Sequence, residues 1–432
     1  MKENKIYWKN IDQLDSNNQQ INKIHENEFV SKLPVDYNKD EDQLDNSHTR
    51  RDFLKYLGYS TAAATIAACE GPVIKSVPYV IQPEQITPGI ANYYATTIAD
   101  GYDFASVLIK TREGRPIKVQ NNNQTPYLGC ANARVNASVL SLYDSLRIQG
   151  PKYKGKDISW RDFYDKTSKA LKSLSKDGDK VVLMTNSLAS PSTEKIISEF
   201  LNLYPNISHV IYDPISSDSA LNAFEKEYGI RALPDYDFSI ASNIISFDAD
   251  ILGDWQGGGY ESGYSKGRIP NKKNSNKKYS MSWHIQLESN MSLSGANADK
   301  RVPLKPSDIK NILFKLYSKL ARKKTSISLS KDHQKLLDQI LNKINKSPSN
   351  SVVVSGIDDD YSQRIILAIN SILKSKAFNV NTPRFIRKGK NDDVKKLLKE
   401  MKSGEVKGLI ISGLNPVYSL PNGSEFKDLI SS

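Results

Sequence analysis

Two cysteines, Cys69 and Cys130, and five histidines, His25, His48, His209, His284 and His333, are the chain's whole stock of thiolate and imidazole metal ligands. A structural zinc site takes four Cys or His ligands, and an iron-sulfur cubane takes four thiolates, so this chain holds no cluster by itself. The histidines stand at no i,i+4 or HExxH spacing, which leaves each as a surface or packed side chain rather than a metal ligand. Cys130 stands without companions and reads as a buried, inert thiol. The acidic run Asp358, Asp359 and Asp360 has no partner base beside it and reads as solvated loop rather than as a general acid and base pair. Ser216 and Ser217 fall between a strand-like and a helix-like stretch, where a serine serves as a helix cap.

The chemistry with the sharper sequence signal is that of export. Thr49, Arg50, Arg51, Asp52, Phe53, Leu54 and Lys55 form a twin-arginine pattern with the Phe, Leu and Lys that follow such a pair, and an Ala/Thr-rich stretch runs on to Ala68. A charged n-region, a short apolar h-region and a small-residue end stand in the order a secretory signal requires. The apolar stretch, about sixteen residues, is too short and too weakly hydrophobic for a membrane span. Ile66, Ala67, Ala68 and Cys69 resemble a lipobox, in which the cysteine receives diacylglycerol; the alternative is that Cys69 is a plain small residue of an uncleaved signal. Residues 1–49 carry six Lys against ten Asp and Glu, a net of about −4, and include Asn/Gln-rich runs. That composition reads as a largely disordered extension, with one local helix near Ile21 to Leu33.

The elements that would position any site come from the remainder. The chain has 432 residues, 38% apolar and 25% charged, enough to bury a core in two or three domains. Sixty Lys plus Arg against forty-eight Asp plus Glu give +12, compatible with a lipid surface or an acidic subunit, but nothing marks out nucleic acid. The densest basic group, Lys266, Arg268, Lys272, Lys273, Lys277 and Lys278, lies among Gly, Asn and Ser as a solvated loop would. After an extended Pro/Val/Ile-rich linker to Pro88, Ala105 to Arg112 and Arg115 to Gln120 read as a hairpin turning at Glu113 and Gly114. Ala133 to Tyr143 has helical periodicity, and a helix capped by Ser159 runs to about Leu174.

From there strands and helices alternate. Lys180 to Met184, His209 to Tyr212 and Asn243 to Phe247 read as strands; Ser192 to Leu203, capped by Ser192, and Ser217 to Tyr228, stopped by Gly229, read as helices. A second series comes next: helix Ser307 to Lys323, strand Ser351 to Ser355, helix Tyr361 to Lys374, strand Gly408 to Ser412, and a final helix from about Gly423. Short apolar strands separated by helices point to parallel sheets covered on both faces. The predicted fold class is therefore α/β, a small β-rich first domain followed by doubly wound parallel-sheet domains. The expected divisions are 1–48 (extension), 49–71 (signal), 72–150 (linker and β-rich domain), 151–305 (first α/β domain) and 306–432 (second α/β domain, incomplete).

Arg112 to Val119, Gly129-Cys130, Leu142 to Arg147, Ile158 to Trp160, Asp237 to Asp250, His284 to Glu288 with Ser294 to Asp299, and the Gly413 to Pro416 turn follow one another along the chain. Their order resembles the large subunit of the molybdopterin oxidoreductase family, and within it the molybdopterin-oxidoreductase-like subunit of alternative complex III, the bacterial quinol:electron-acceptor oxidoreductase. The likeness runs from about Ile90 to the end, and implies doubly wound sheets of molybdopterin oxidoreductase type. It implies a molybdopterin cofactor and a first-domain cluster, yet the cysteines such a cluster needs are missing before Cys130. It places the metal ligand of active relatives at Ser216 or Ser217, positions that helix capping explains as well. At the cofactor crevice the turn Asp248 to Gly253 offers two carboxylates where a pyrophosphate needs N–H groups or positive charge. Gly257, Gly258 and Gly259 read as a flexible loop rather than a phosphate cradle.

The resemblance and the export signal together lead to the expectation of a membrane-associated subunit on the periplasmic face of the bacterial inner membrane, part of a quinol-oxidising electron-transfer complex. In this reading the region is a scaffold that has lost its own cofactor and has no catalytic or metal-binding residue. Iron-sulfur clusters are implied only for a C-terminal region outside this sequence, and the implied partners are a multi-heme cytochrome and integral membrane subunits. Two other readings stay open: an active molybdenum bis-pterin oxidoreductase using Ser216 or Ser217, and a solitary ligand-binding lipoprotein.

Overall fold

Val107 and Val119, two alternating apolar positions of the expected hairpin, are buried on one side of a three-stranded antiparallel meander in the computed structural model, which describes residues 86–100, 103–125, 131–253, 255–272 and 279–431. The signal residues Arg50, Arg51, Phe53, Leu54 and Lys55, together with Cys69 and Cys130, lie outside the described residues. The described residues all fall within one compact unit, Pro83–Ser432. None of their helices is long and apolar enough to cross a membrane.

The meander comprises β1 (Asn92–Asp100), β2 (Asp103–Arg112) and β3 (Arg115–Asn121). Glu113 and Gly114 make the expected two-residue turn with φ of 50° and 76°, the left-handed pair that matches strand twist. β1, absent from the sequence-based expectation, has the Tyr, Thr and Ile content of a strand but no buried apolar alternation, because it is an edge strand whose side chains stay largely exposed. Ala105, Val107 and Val119 pack with Val135 and Val139 from α1 (Ala133–Ala137) and the 3₁₀ turn after it, Ser138–Tyr143. The expected single helix over this stretch is thus split.

A small hairpin, β4 (Lys152–Tyr153) and β5 (Lys156–Asp157), leads into α2 (Trp160–Lys176). Ser159 caps α2 as expected, accepting the Asp162 N–H at 3.1 Å. β6 (Lys180–Thr185) then leads to α3 (Pro191–Leu203), whose cap is Ser190 rather than Ser192, because Pro191 occupies the first helical position. Next come β7 (Ile207–Ile211) and α4 (Asp218–Tyr228), which Gly229 ends at φ 74°. β8 (Leu233–Tyr236) precedes β9 (Asn243–Phe247) and α5 (Glu261–Arg268). Lys266 and Arg268 therefore lie on a helix rather than in a loop, and Arg268 holds Asp299 at 2.6 Å.

The short pair β10 (Asn271–Lys272) and β11 (Tyr279–Ser280) precedes β12 (Trp283–Glu288), α6 (Leu293–Asn297) and β13 (Lys300–Pro303). Two long helices, α7 (Pro306–Leu320) and α8 (Lys331–Lys346), precede β14 (Ser351–Ser355) and α9 (Asp360–Leu373). β15 (Phe378–Arg384), α10 (Asn391–Lys402), β16 (Val406–Ser412), α11 (Pro416–Ser419) and α12 (Gly423–Ser431) complete the described chain.

The fold is α/β with two parallel sheets, ordered β16-β6-β7 and β13-β12-β9-β14. The strands do not sort by a boundary at residue 305. β14 pairs with β9, placing Val353 opposite Ile245, and β16 pairs with β6, placing Ile410 opposite Leu183. The second sheet is thus formed by chain that runs between strands of the first. Its faces divide by strand alternation: Ile245, Phe247, Ile285, Leu287 and Val353 pack under α7, α8 and α9, while Ile244, Val352 and Val354 meet an aromatic cluster around Tyr236, Phe238 and Trp255. On α7, Ile309, Ile312, Leu313 and Leu316 supply the apolar stripe at helical spacing.

Candidate functional site

The carboxyl ends of parallel strands are where an α/β sheet offers a crevice to ligands. Here the ends of β9 and β14 and the start of α4 enclose a cavity of about 180 Å³, bordered by Ser216, Ser217, Asp248, Asp250, Gln256 and Asp358. The structure therefore brings together the two serines, the acidic turn and the edge of the glycine loop, which are separate features in the sequence.

Ser216 Oγ accepts the Asp218 N–H at 3.0 Å and a hydrogen bond from Asn391 Nδ2 at 3.1 Å. Ser217 occupies the N-cap position of α4 but makes no side-chain cap bond there. Capping thus falls to the earlier serine, and both its bonds serve the start of a helix.

Asp248 takes φ of 61°, and its carboxylate accepts the Ser289 N–H at 3.4 Å. Burial pushes its carboxyl upward, and the neighbouring Glu288 adds to that. Asp250 accepts from Ser294 twice, N–H at 2.9 Å and Oγ at 2.7 Å. The turn is closed by Gly356, where a side chain would collide with the Asp248 carbonyl oxygen. Trp255 donates its indole N–H to Ser355 O at 2.9 Å, tying the next loop to the end of β14.

The glycine run is a packed element, which corrects the expectation of a flexible loop. Gln256, Gly257, Gly258 and Gly259 all take positive φ, from 47° to 85°, and the first three are buried. A Cβ on Gly257 would stand 2.6 Å from Ile386 Cδ1, and Arg384 donates to Gly258 O at 3.0 Å. The Arg384 guanidinium also lies 4.5 Å from the Tyr260 ring. Gly258 also donates its N–H to the Trp255 carbonyl at 3.0 Å, so both polar backbone groups of this residue are used within the protein.

The acidic run after β14 also changes meaning. Asp359 caps α9, accepting the Ser362 N–H at 3.1 Å, and Asp360 pairs with Lys226 at 2.9 Å. These two side chains structure the strand exit instead of forming the plain solvated loop that the sequence suggests.

Next to the crevice runs a polar ladder on alternate residues of β12. His284 Nδ1 meets Tyr264 Oη at 3.1 Å, and His284 Nε2 meets Gln286 Oε1 at 3.1 Å. Gln286 donates to Glu288 Oε2 at 3.2 Å and to the Ala249 carbonyl at 3.2 Å. Burial lowers the His284 pKa to about 4, so the ring is neutral at ordinary pH. Burial opposes ionisation of Glu288, but hydrogen bonds from Ser292 and Arg301 outweigh it and hold its carboxyl below the usual range. The phrase from His284 to Asp299 thus builds internal structure: Asp299 accepts the His284 N–H at 2.7 Å. Sequence reasoning missed the ladder, though polar residues at every second position of an otherwise apolar strand are its signature.

The residues bordering the cavity do not fit a molybdopterin dinucleotide. None of its lining residues is Lys, Arg or His, and three, Asp248, Asp250 and Asp358, are acidic. A pyrophosphate needs positive potential or open helix N-termini, and both helices starting at the cavity carry carboxylates of their own at that end, Asp218 in the first turn of α4 and Asp359 as the cap of α9. The volume is below the ~300 Å³ at which small-molecule sites begin. Among the described residues, no group of three or more His, Cys, Asp or Glu is placed to hold a metal ion. The other expected signature, Gly413 to Pro416, is a turn with Gly413 at φ 68°, in which Asn415 caps α11 through the Tyr418 N–H at 3.2 Å.

No family model matches the sequence, and no curated protein matches it. Among solved structures, acetylene hydratase from Pelobacter acetylenicus is similar to it, with 12% identity, a TM-score of 0.37, and coverage of 66% of this chain and 42% of that enzyme. The chain thus spans less than half of that protein's length.

Proposed function

We propose that this chain is a non-catalytic scaffold of molybdopterin-oxidoreductase type, a membrane-associated, periplasm-facing subunit of a quinol-oxidising electron-transfer complex. The observation that carries the non-catalytic part is the crevice itself: about 180 Å³, three carboxylates and no cation among its lining residues. An anionic pterin cofactor would be repelled where active relatives must attract it. In this reading Ser216 is a helix cap and not a molybdenum ligand, which its bonds to the Asp218 and Asn391 nitrogens support.

The location and partners rest on sequence. Arg50, Arg51, Phe53, Leu54 and Lys55 support export of a folded protein, and Cys69 supports attachment by acyl chains. The order of phrases from Arg112 to Pro416 supports the family and the complex, whose multi-heme cytochrome and membrane subunits would be the neighbours.

The test is purification of the native assembly from source membranes, with its subunits identified and its metal and pterin measured. Recovery with a multi-heme cytochrome and integral membrane proteins, and without stoichiometric molybdenum or tungsten, is the expected result. Recovery as a lone polypeptide, or with one metal per chain, contradicts the reading.

A further inference from the structure

The apolar stripe of α2 is longer than the core it packs on. Leu171 and Leu174 meet Val181, Leu183 and Ile207, but on the same stripe Trp160 and Tyr164 are 58% and 63% exposed. They are held as a cluster, with Trp160 5.9 Å from Phe163 and 6.0 Å from Tyr164, ring centre to ring centre. Isolated exposed aromatics are common, whereas a run of them is not. Immediately upstream, Leu146 and Ile148 are 89% and 74% exposed.

Cations flank the start of this helix. The β4–β5 hairpin turns at Lys154 and Gly155, with φ of 50° and 79°, and presents Lys152, Lys154 and Lys156. Lys166 Nζ lies 4.6 Å from the Tyr153 ring centre, tying the hairpin to α2. From Lys152 to Lys176 the chain carries eight basic residues, seven of them Lys, against Asp157, Asp162 and Asp165, a net of +5.

We propose that the surface formed by Leu146, Ile148, the β4–β5 hairpin and the first turns of α2 docks on an anionic lipid bilayer. Leu146, Ile148, Trp160 and Tyr164 enter the interface and Lys152, Lys154, Lys156 and Lys166 meet lipid phosphates, while Lys169, Lys172 and Lys176 fall on the far face of the helix and add only to the net charge. The composition selects lipid over an acidic protein. Protein interfaces deplete Lys in favour of Arg, and from Leu146 to Lys176 Lys outnumbers Arg seven to two. Trp and Tyr settle at headgroup level, and each Lys near an anionic leaflet strengthens binding about fivefold. This docking surface is independent of the proposed scaffold role, and its failure would leave the cofactor question untouched.

The test uses the full chain carrying Cys69→Ala, so that no acyl chain contributes, mixed with vesicles of phosphatidylcholine alone or with phosphatidylglycerol. The expected result is co-sedimentation with the anionic vesicles only, weakened by salt. The triple variant Lys152→Gln, Lys154→Gln, Lys156→Gln should weaken it by about a hundredfold, and the charge-reversing Lys→Glu set should weaken it further. Trp160 emission should shift to the blue on the vesicles, a shift lost in Trp160→Phe. Equal binding to both vesicle types, or indifference to the lysine variants, overturns the proposal. So does a photo-crosslinker at position 160 that joins protein rather than lipid in native membranes.

Discussion

The Oγ of Ser216 lies 3.0 Å from the amide nitrogen of Asp218 and accepts its hydrogen bond, while Ser217, one residue nearer the helix, makes no such bond. Ser216→Ala should therefore cost about 1 kcal/mol of stability, the ordinary worth of a lost cap. Ser217→Ala should stay within about 0.5 kcal/mol. Urea unfolding of the two variants measures the difference; equal effects would mean that the cap has been assigned to the wrong serine.

Gly356 passes so close to the Asp248 carbonyl that no side chain fits between them. Gly356→Ala should force apart the ends of β9 and β14 and lower stability by ~3 kcal/mol, in the upper range for overpacking. An unchanged melting temperature would show that the acidic turn is looser than described.

Arg231 donates to Asp218 at 2.5 Å, to Asn222 at 2.5 Å and to the Gly389 carbonyl at 2.8 Å, joining α4 to the loop before α10. Arg231→Ala leaves a buried Asp218 without its guanidinium and should cost about 3 kcal/mol. Arg231→Lys should recover only part of it, because one ammonium cannot span three acceptors as a planar guanidinium does. Full recovery by lysine in a denaturation series would refute the bridging role.

His284 supplies a pH dependence with a definite sign. Burial lowers its folded pKa to about 4, so between pH 6.5 and 4 the unfolded chain binds a proton that the folded chain refuses. Its contribution is complete above about pH 6.5, falls as the pH drops, and stops changing near 4; its size is about 3 kcal/mol at most. Replacing His284 with Gln should flatten the stability profile in that window relative to the parent. A parallel pair of profiles would mean that the ring is protonated in the native state.

Much of the framework is legible in the sequence, because β9 and β14 are short runs of apolar residues and Ser159 and Gly229 are strong punctuation. Ser190 is harder to tell from Ser192 as the cap of α3, because a proline at the first helical position shifts the cap by two residues. The interleaving of the sheets is not legible, since the pairing of β14 with β9 depends on contacts about one hundred residues apart, which no local pattern encodes. Of the site, the acidic character of the turn can be read directly. The burial of Gly257 and Gly258 cannot, because it is set by Ile386 and Arg384 far along the chain.

Whether this crevice takes up a pterin-bound metal is decided by elemental analysis of the assembly purified from its native membranes. A scaffold that has lost its cofactor should show molybdenum and tungsten far below one atom per chain, with no pterin released on denaturation. One equivalent of either metal together with extractable pterin would contradict that role, and would mean that the cavity bordered by Asp248, Asp250 and Asp358 takes another form when loaded.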